Sequence, residues 1–332
     1  MNKRILLHQV SALAAAASLV AFGLDSGQVF AQAPAFPNKP VKLVIPLTAG
    51  SGADIAARIL AKSLTEIWKQ PVVVENRPGA GGLLGTGVVA QAPADGYTLM
   101  VQSASYSANP AIYKKLPYDL AKPLVDVGLI GLTPYVMVTA ANGPYQSIKD
   151  LVADTKAKPG TVAFASAGLG SSTHLAAEHF NQSSGIQLLH VPYQGSPQAM
   201  QDTMAGRTAF YMAPLDAAIG HVKGGRLKAL GVTTPSRSDA ANDIPTVAEQ
   251  GMAGFDLSLW FGLWAPPETP AALTQQINAD LNKALSDPEV IAALSKGGTA
   301  IRKLSPADFS AFVKAETAKF VKIAKDAKLE PQ

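Results

Sequence analysis

Short apolar runs alternate along the chain with stretches that have the period of an amphipathic helix. The predicted strands lie at residues 41–47, 72–75, 97–102, 162–165, 187–191, 208–212 and 227–232. The predicted helices between and after them include 147–156, 173–181 and 216–222, and one that begins at Ser196-Pro197 with Ser196 as its cap. Strands that alternate with helices predict an α/β fold, with mostly parallel sheets covered by helices on both faces.

Two places in the pattern suggest that the chain forms two lobes. The runs at 127–131 and 135–139 predict a passage into a second lobe, and the sequence changes character again at 260–264. We therefore predict that residues 32–138 plus 255–332 form lobe 1 and that residues 139–254 form lobe 2. The tail is predicted to be a helix that begins near Ser305, with Phe309, Phe312 and Phe320 on one buried face.

Two of the predicted strands run into turns rich in glycine and serine, and each turn leads into a helix. The first turn covers residues 48–53, before a helix opened by Asp54, and the second covers residues 166–172. Such an arrangement points unpaired backbone N–H groups and the positive end of a helix dipole at the space beyond the strand. Two such units predict that two lobes close on one acidic ligand.

The N-terminus has the order of a secretory signal peptide. Lys3 and Arg4 precede an apolar run at 10–24, and small residues lead up to Ala31, after which we predict cleavage. An uncleaved membrane anchor is the alternative, but the run is shorter than the ~20 residues that a span needs. No later stretch is apolar enough to cross a bilayer, so the sequence predicts a soluble, exported protein.

Charge and composition exclude several classes of function. The formal net charge is +4, and the basic residues are dispersed, so nucleic acid is not an expected partner. The chain has no cysteine, which excludes disulfides, thiolate metal sites and cysteine nucleophiles. A modest positive balance attracts acidic solutes.

The glycine motif at 79–85 has the spacing G-x-G-x-x-x-G between a strand and a helix, so a nucleotide-binding loop is one interpretation. The acidic residue expected at the end of the next strand is missing, because that strand ends at Val101-Gln102. The favoured interpretation is a tight turn that carries backbone close to a neighbour or a ligand. No cofactor is predicted.

Three further groups of residues have side chains that could bind a metal, brace a turn or form a catalytic triad. His174 and His179 are five residues apart and do not share a helix face, so no metal site is predicted; His174 is expected beside the ligand loop, with Glu178 and His179 at the surface or between the lobes. Asp54 and Arg58 are expected to cap and brace the first turn. A hydrolase triad of Ser171, His174 and Asp216 lacks a G-x-S-x-G elbow, and an exported ester hydrolase stays as an alternative.

Several segments resemble those of a known family in their amino-acid sequences and in their order along the chain. They are residues 37–46, 71–82, 95–99, 116–119, 166–176, 190–195, 227–232 and 245–249. The segment Pro-Val-Val-Val-Glu-Asn-Arg-Pro-Gly-Ala-Gly-Gly at 71–82 is typical. Together they resemble the exported solute-binding proteins of tripartite tricarboxylate transporters, also called the Bug family. The first turn departs from the usual pattern, because it reads Leu-Thr-Ala-Gly-Ser-Gly at 47–52, where an aromatic residue and a glycine pair are common. Thr48 and Ser51 add hydroxyl donors to this turn.

This resemblance implies a two-lobed periplasmic binding fold of type II that holds a small organic acid, a mono-, di- or tricarboxylate, in the cleft between the lobes. The protein would deliver this ligand to the integral membrane subunits of a transporter, or alternatively act as a sensor that docks on a receptor. The resemblance implies no catalytic or metal-binding residue. The ligand contacts that it implies are Thr48, Ala49, Gly50, Ser51, Gly52, Ser103, Ala104, Ser166, Gly168, Gly170, Ser171, Ser172, Thr173, His174, Tyr193, Gln194, Gly195, Ser196 and Asp216.

Overall fold

Strands and helices alternate in the computed structural model, which describes residues 36–119 and 121–332. The predicted signal peptide and its cleavage site lie outside the described residues. Residues 37–332 form one compact unit. Within the described part of the chain, no helix is both long and apolar enough to cross a membrane.

The strands follow the apolar runs closely. They are β1 (Val41–Ile45), β2 (Val72–Asn76), β3 (Thr98–Ser103), β4 (Val125–Ala140), β5 (Ala163–Ser166), β6 (Leu189–Pro192), β7 (Phe210–Pro214), β8 (Leu227–Val232), β9 (Ser258–Ala265) and β10 (Ala300–Ile301). The two runs predicted at 127–131 and 135–139 form the single long strand β4. Its length matters because β4 runs from one half of the sheet into the other.

The helices include several that the periodicity did not predict. They are α1 (Gly52–Trp68), α2 (Leu83–Ala90), α3 (Ser105–Ile112), α4 (Ile148–Ala157), α5 (Ser172–Ser184), α6 (Ser196–Met204), α7 (Leu215–Lys223), α8 (Ala271–Ala284), α9 (Pro288–Lys296) and α10 (Pro306–Asp326). Helix α1 begins at Gly52 rather than at Asp54, because Ser51 is its cap. Helices α3, α8 and α9 were not predicted.

The strands lie in the order β2-β1-β3-β9-β4-β7-β5-β6, with β8 and β10 also paired to β4. Strands β1, β2 and β3 are parallel, as are β5, β6 and β7. Antiparallel pairings of β9 with β3 and of β4 with β7 join these two groups. The α/β class with two lobes is therefore confirmed. We use lobe 1 for the side with β1–β3 and lobe 2 for the side with β5–β7.

Strand β4 crosses between the lobes. Its residues 125–134 pair with β9, and residues 135–140 pair with β7 and β8. Tyr135, where the change of partner occurs, is fully buried. The residue limits that the sequence predicts for the lobes stay a prediction.

Helix α10 confirms the predicted tail. Ser305 caps it by accepting a hydrogen bond from the Asp308 amide at 3.1 Å, and proline follows the cap. Phe309 and Phe320 are fully buried on its inner face. The aromatic stripe is core packing, as the spacing indicates.

Candidate ligand-binding site

Helices from both lobes begin at one small cavity. The first residues of α1, α3, α5 and α6 line it, and so do Pro214 and Phe261. The full lining, which we call the inner cavity, is Leu47, Ser51, Gly52, Ala53, Ser103, Ser105, Ala167, Ser171, Ser172, Thr173, Ser196, Pro214, Leu259 and Phe261. None of these side chains is charged, so the positive ends of four helices set the electrostatic potential of the cavity.

The cavity has a volume of about 20 Å³. A single water needs roughly 10–15 Å³ on this scale, so the space matches one or two oxygen atoms. A carboxylate group carries two oxygen atoms, which matches this volume. The cavity therefore fits one carboxylate group of an acid.

The caps of α1 and α5 repeat the same geometry in the two lobes. Ser51 accepts from the Asp54 amide at 3.4 Å, and Ser171 accepts from the His174 amide at 3.2 Å. In the described part of the chain, the amides of Gly52, Ala53 and Thr173 have no acceptor. Amides at positions N1 and N2 of a helix have no partner within the helix, so they are donors for an anion in the cavity.

Hydroxyl groups complete the lining. Ser103 donates to Ser105 at 3.0 Å, and the buried Tyr211 donates to Ser196 at 2.8 Å. Burial raises the pKa of Tyr211, so its hydroxyl stays protonated and neutral. The cavity thus offers hydrogen-bond donors that do not depend on pH.

Asp54 braces the first turn as predicted. Its carboxylate accepts from the Gly50 amide at 2.9 Å and from Arg58 Nε at 3.0 Å, and Asn76 Nδ2 donates to it at 2.9 Å. Burial raises the pKa of Asp54, but the hydrogen bonds from Arg58, Gly50 and Asn76 outweigh burial and place the pKa below its usual value. The charged brace holds the turn without facing the cavity.

Asp216 lies between the lobes but does not line the inner cavity. A Cβ atom at Gly52 would lie 2.7 Å from Asp216 Oδ1, and one at Gly297 would lie 2.8 Å from Asp216 Cβ. Its carboxylate also accepts from the Ala217 amide at 2.8 Å. Burial raises the pKa of Asp216 to about 7. The contact of Asp216 in this closed arrangement is thus with lobe 1 itself.

The side chain of His174 faces away from the cavity, although its residue lies in the first turn of α5. Its ring stacks on His190 with 3.9 Å between the ring centroids, and its Nδ1 is buried without a partner. Burial, followed by the repulsion from His190, lowers the pKa of His174 to about 3. His190 in turn lies 2.6 Å from the hydroxyl of Ser166 through Nε2. The histidine pair supports the loop from behind.

Glu178 does not lie at the surface, which was one of the two positions expected for it. Glu178 is buried, with one carboxylate oxygen 3.7 Å from His174 Nε2, and burial raises its pKa. Its place on the same helix face as His174, one turn along, brings it into the packed layer instead.

The other predicted contacts line a second cavity or touch the opposite lobe or a neighbouring strand. Gly168, Tyr193 and Gln194 line a second cavity of about 490 Å³, the outer groove, together with residues 78–81 and Tyr113. Ser166 holds the loop by accepting from the Gly168 amide at 3.1 Å.

Three more predicted contacts touch the opposite lobe or a neighbouring strand. Gly195 lies against Thr48, and Gly50 lies against Pro197. The amide of Ala104 donates to Trp260, whereas Ala49 is exposed. Ser196 is the first residue of α6 and not its cap, because Gly195 occupies the cap position.

Sequence reasoning missed Ser105, Asn109 and Tyr113. They lie on and just after α3, which was not predicted because Pro110 stands within it. Their spacing of four residues, which would place them on one face of a helix, was the only signal in the sequence. The glycine motif at 79–85 proved to be a tight turn, and a Cβ atom at Gly81 would lie 2.7 Å from the carbonyl oxygen of Leu169 in the other lobe.

The fold and the site define a two-lobed solute-binding protein of the periplasmic class. The family model described as "Tripartite tricarboxylate transporter family receptor" matches residues 56–329, and the chain belongs to this family. It is 34% identical over 293 residues to protein BugT of Bordetella pertussis, covering 88% of this chain and 90% of BugT. The resemblance seen in the sequence is thereby confirmed.

Solved structures with bound acids have the same fold. Rpa4515 of R. palustris with adipate is 31% identical, with a TM-score of 0.86 over 90% of this chain and 100% of that chain. MatC of Rhodopseudomonas palustris with bound malate is 26% identical, with a TM-score of 0.82 over 87% of this chain and 100% of that chain. A further structure, described as periplasmic binding protein BugD, is 31% identical, with a TM-score of 0.85 over 90% of this chain and 100% of that chain.

Proposed function

We propose that this protein binds a small organic acid in the periplasm, with one carboxylate in the inner cavity, and delivers it to the membrane subunits of a tripartite tricarboxylate-type transporter. The observation that carries the proposal is the meeting of four helix N-termini from both lobes at a cavity that no charged side chain lines. Adipate and malate in the similar structures support the class of ligand. Membership of the family supports the partner.

The mechanism follows from the division of the donors between the lobes. Gly52 and Ala53 belong to lobe 1, whereas Thr173 belongs to lobe 2. A carboxylate that accepts from both sets gains its full stabilisation only when the lobes close. A bound acid therefore shifts the equilibrium towards the closed form, which is the form that the transporter would recognise.

We also propose that the protein acts by binding and not by catalysis. Ser171 Oγ donates to the Gly168 carbonyl at 2.6 Å and accepts from the backbone amide of His174. The His174 ring stacks on His190 instead of contacting this hydroxyl. A nucleophile and its base need a direct hydrogen bond, so this geometry does not support a triad of Ser171, His174 and Asp216.

Isothermal titration calorimetry tests the binding. We expect micromolar or tighter binding of one member of a panel of aliphatic and aromatic mono-, di- and tricarboxylates, and no binding of its neutral methyl ester. Ala53→Leu fills the inner cavity and is expected to abolish binding, whereas Ala271→Leu, at an exposed helix start, leaves binding unchanged. Equal binding of acid and ester, or turnover of the ester, would contradict the proposal.

A further inference from the structure

Helix α3 presents a row of polar side chains to lobe 2. Ser105 begins the helix, Asn109 lies one turn later, and Tyr113 caps its C-terminal end. Residues four apart lie on one face of a helix. The row therefore extends from the inner cavity, which Ser105 lines, to the outer groove, which Tyr113 lines.

Each of these residues makes a hydrogen bond across the cleft to the segment 169–172. Ser105 Oγ accepts from the Ser172 amide at 3.0 Å. Asn109 Nδ2 donates to the Gly170 carbonyl at 3.2 Å, and Tyr113 donates from its hydroxyl to the Leu169 carbonyl at 2.9 Å. Burial raises the pKa of Tyr113, so this hydroxyl keeps its proton at neutral pH.

Glycines allow the close approach that these bonds require. Gly170 has φ +72°, and a Cβ atom there would lie 2.6 Å from the Tyr113 ring. Asn109 Nδ2 lies 3.3 Å from the Gly81 carbonyl as well as 3.2 Å from that of Gly170, so one amide joins backbone from both lobes. The contact between α3 with Tyr113 and the segment 169–172 is thus made by direct hydrogen bonds within the protein.

We propose that Ser105, Asn109 and Tyr113 form a closure latch, a set of positioning residues that favour the closed arrangement of the lobes through bonds that the ligand does not supply. Both partners of every bond belong to the protein, so the latch stabilises the closed form whether or not an acid is bound. Apparent affinity scales with the fraction of molecules that are closed. The effect of the latch on affinity rests on the proposed function, whereas its effect on closure does not.

The variant Tyr113→Phe removes one hydroxyl and keeps the ring. The loss of one ordinary hydrogen bond is expected to lower the ratio of closed to open molecules roughly two- to tenfold. Tyr145→Phe is the matched control, because Tyr145 donates to Asp154 at 2.8 Å within lobe 2. Since the chain has no cysteine, Arg77→Cys and Gln194→Cys give two unique labels on either side of the outer groove.

Pulsed dipolar spectroscopy on ligand-free protein with these labels measures closure. We expect a larger long-distance fraction in Tyr113→Phe than in wild type or Tyr145→Phe, and the same factor in the dissociation constant of whichever acid binds. Identical distance distributions and dissociation constants in all three proteins would overturn the latch. A shift in distance without binding of any acid would support the latch and refute the proposed function.

Discussion

At the residue scale, the stacked pair His174 and His190 links the ligand loop to the stability of the protein. Both rings are held in a layer with Phe164, whose centroid lies 4.9 Å from that of His190. Burial lowers the pKa of His190 to about 4, and the pKa of His174 lies at about 3. Both values are below the ordinary histidine pKa of about 6.5, so the folded protein holds both rings neutral.

We therefore predict that this pair makes the protein less stable in acid. Between about pH 6.5 and pH 3–4 the unfolded chain binds protons that the folded pair does not, so the free energy of unfolding falls as pH falls through this window. Above about pH 6.5 the contribution is fully present. Urea unfolding of wild type and His174→Phe at a series of pH values tests this, and the variant is expected to lose stability less steeply.

Other buried groups change the free energy of unfolding in the opposite direction with pH, so the pH dependence of wild type is compared with that of His174→Phe. Burial raises the pKa of Glu178 and of Asp216, so their contributions are present at low pH and are lost as pH rises. A measurement at pH 8, where both histidines are neutral, separates any change in packing. Parallel curves for wild type and His174→Phe from pH 8 to pH 4 would show that the pair is not responsible.

At the element scale, the turns that precede α1 and α6 must pack against each other for the lobes to close. Thr48 lies in the first turn and Gly195 caps α6, and a Cβ atom on Gly195 would overlap Thr48. The φ angle of Gly195 is 172°, an extended conformation that alanine also adopts. The glycine is therefore required by the contact and not by the backbone.

We predict that Gly195→Ala weakens ligand binding roughly tenfold or more, because overpacking of the contact with Thr48 disfavours the closed form. Thr48→Ala removes Oγ1 and Cγ2, two of the three overlapping atoms, and Thr48 Oγ1 is buried without a hydrogen-bond partner, so the double variant is expected to regain part of the affinity. Calorimetric titration of the two single variants and the double variant gives the coupling. Purely additive losses would contradict a direct contact.

At the scale of the whole molecule, β4 and β9 are the connections that any opening of the lobes must bend. Their pairing is irregular near residues 126–131, where the register shifts. We propose lobe limits of 32–138 plus 255–332 and 139–254, as the pattern of elements along the chain and the family resemblance indicate. The long path of β4 from one lobe to the other fits a hinge, because a continuous strand bends with little loss of hydrogen bonds.

Export is the prediction that belongs to the complete chain. Family members are periplasmic binding proteins, and we propose that residues 1–31 are a signal peptide. The intact mass of protein from the periplasmic fraction is expected to match a chain that begins at Gln32. Replacement of the small residue at the cleavage site, Ala31→Phe, is expected to block processing. Retention of Met1 in the wild-type protein would refute the cleavage.

Several features of this protein depend only on residues that are close in the chain. The Ser305 cap, the Asp54–Arg58 brace and most strands were predicted, since hydrogen bonds and hydrophobic periodicity over a few residues specify them. The caps Ser51 and Ser171 were not predicted, and Gly195 takes the cap position predicted for Ser196. The family also followed from the sequence, because its motifs are contiguous. The identity of the ligand-contacting segments came with it as a prediction.

Contacts between side chains that are distant in the chain depend on how the elements pack. His174 and His190 stack although 16 residues separate them, and Ser105, Asn109 and Tyr113 reach a segment more than 55 residues away in the chain. Local pattern carries no information on such contacts, and Pro110 concealed the helix that presents the latch. The inner cavity exists for the same reason: four helix starts, far apart in sequence, converge only when both lobes fold and close.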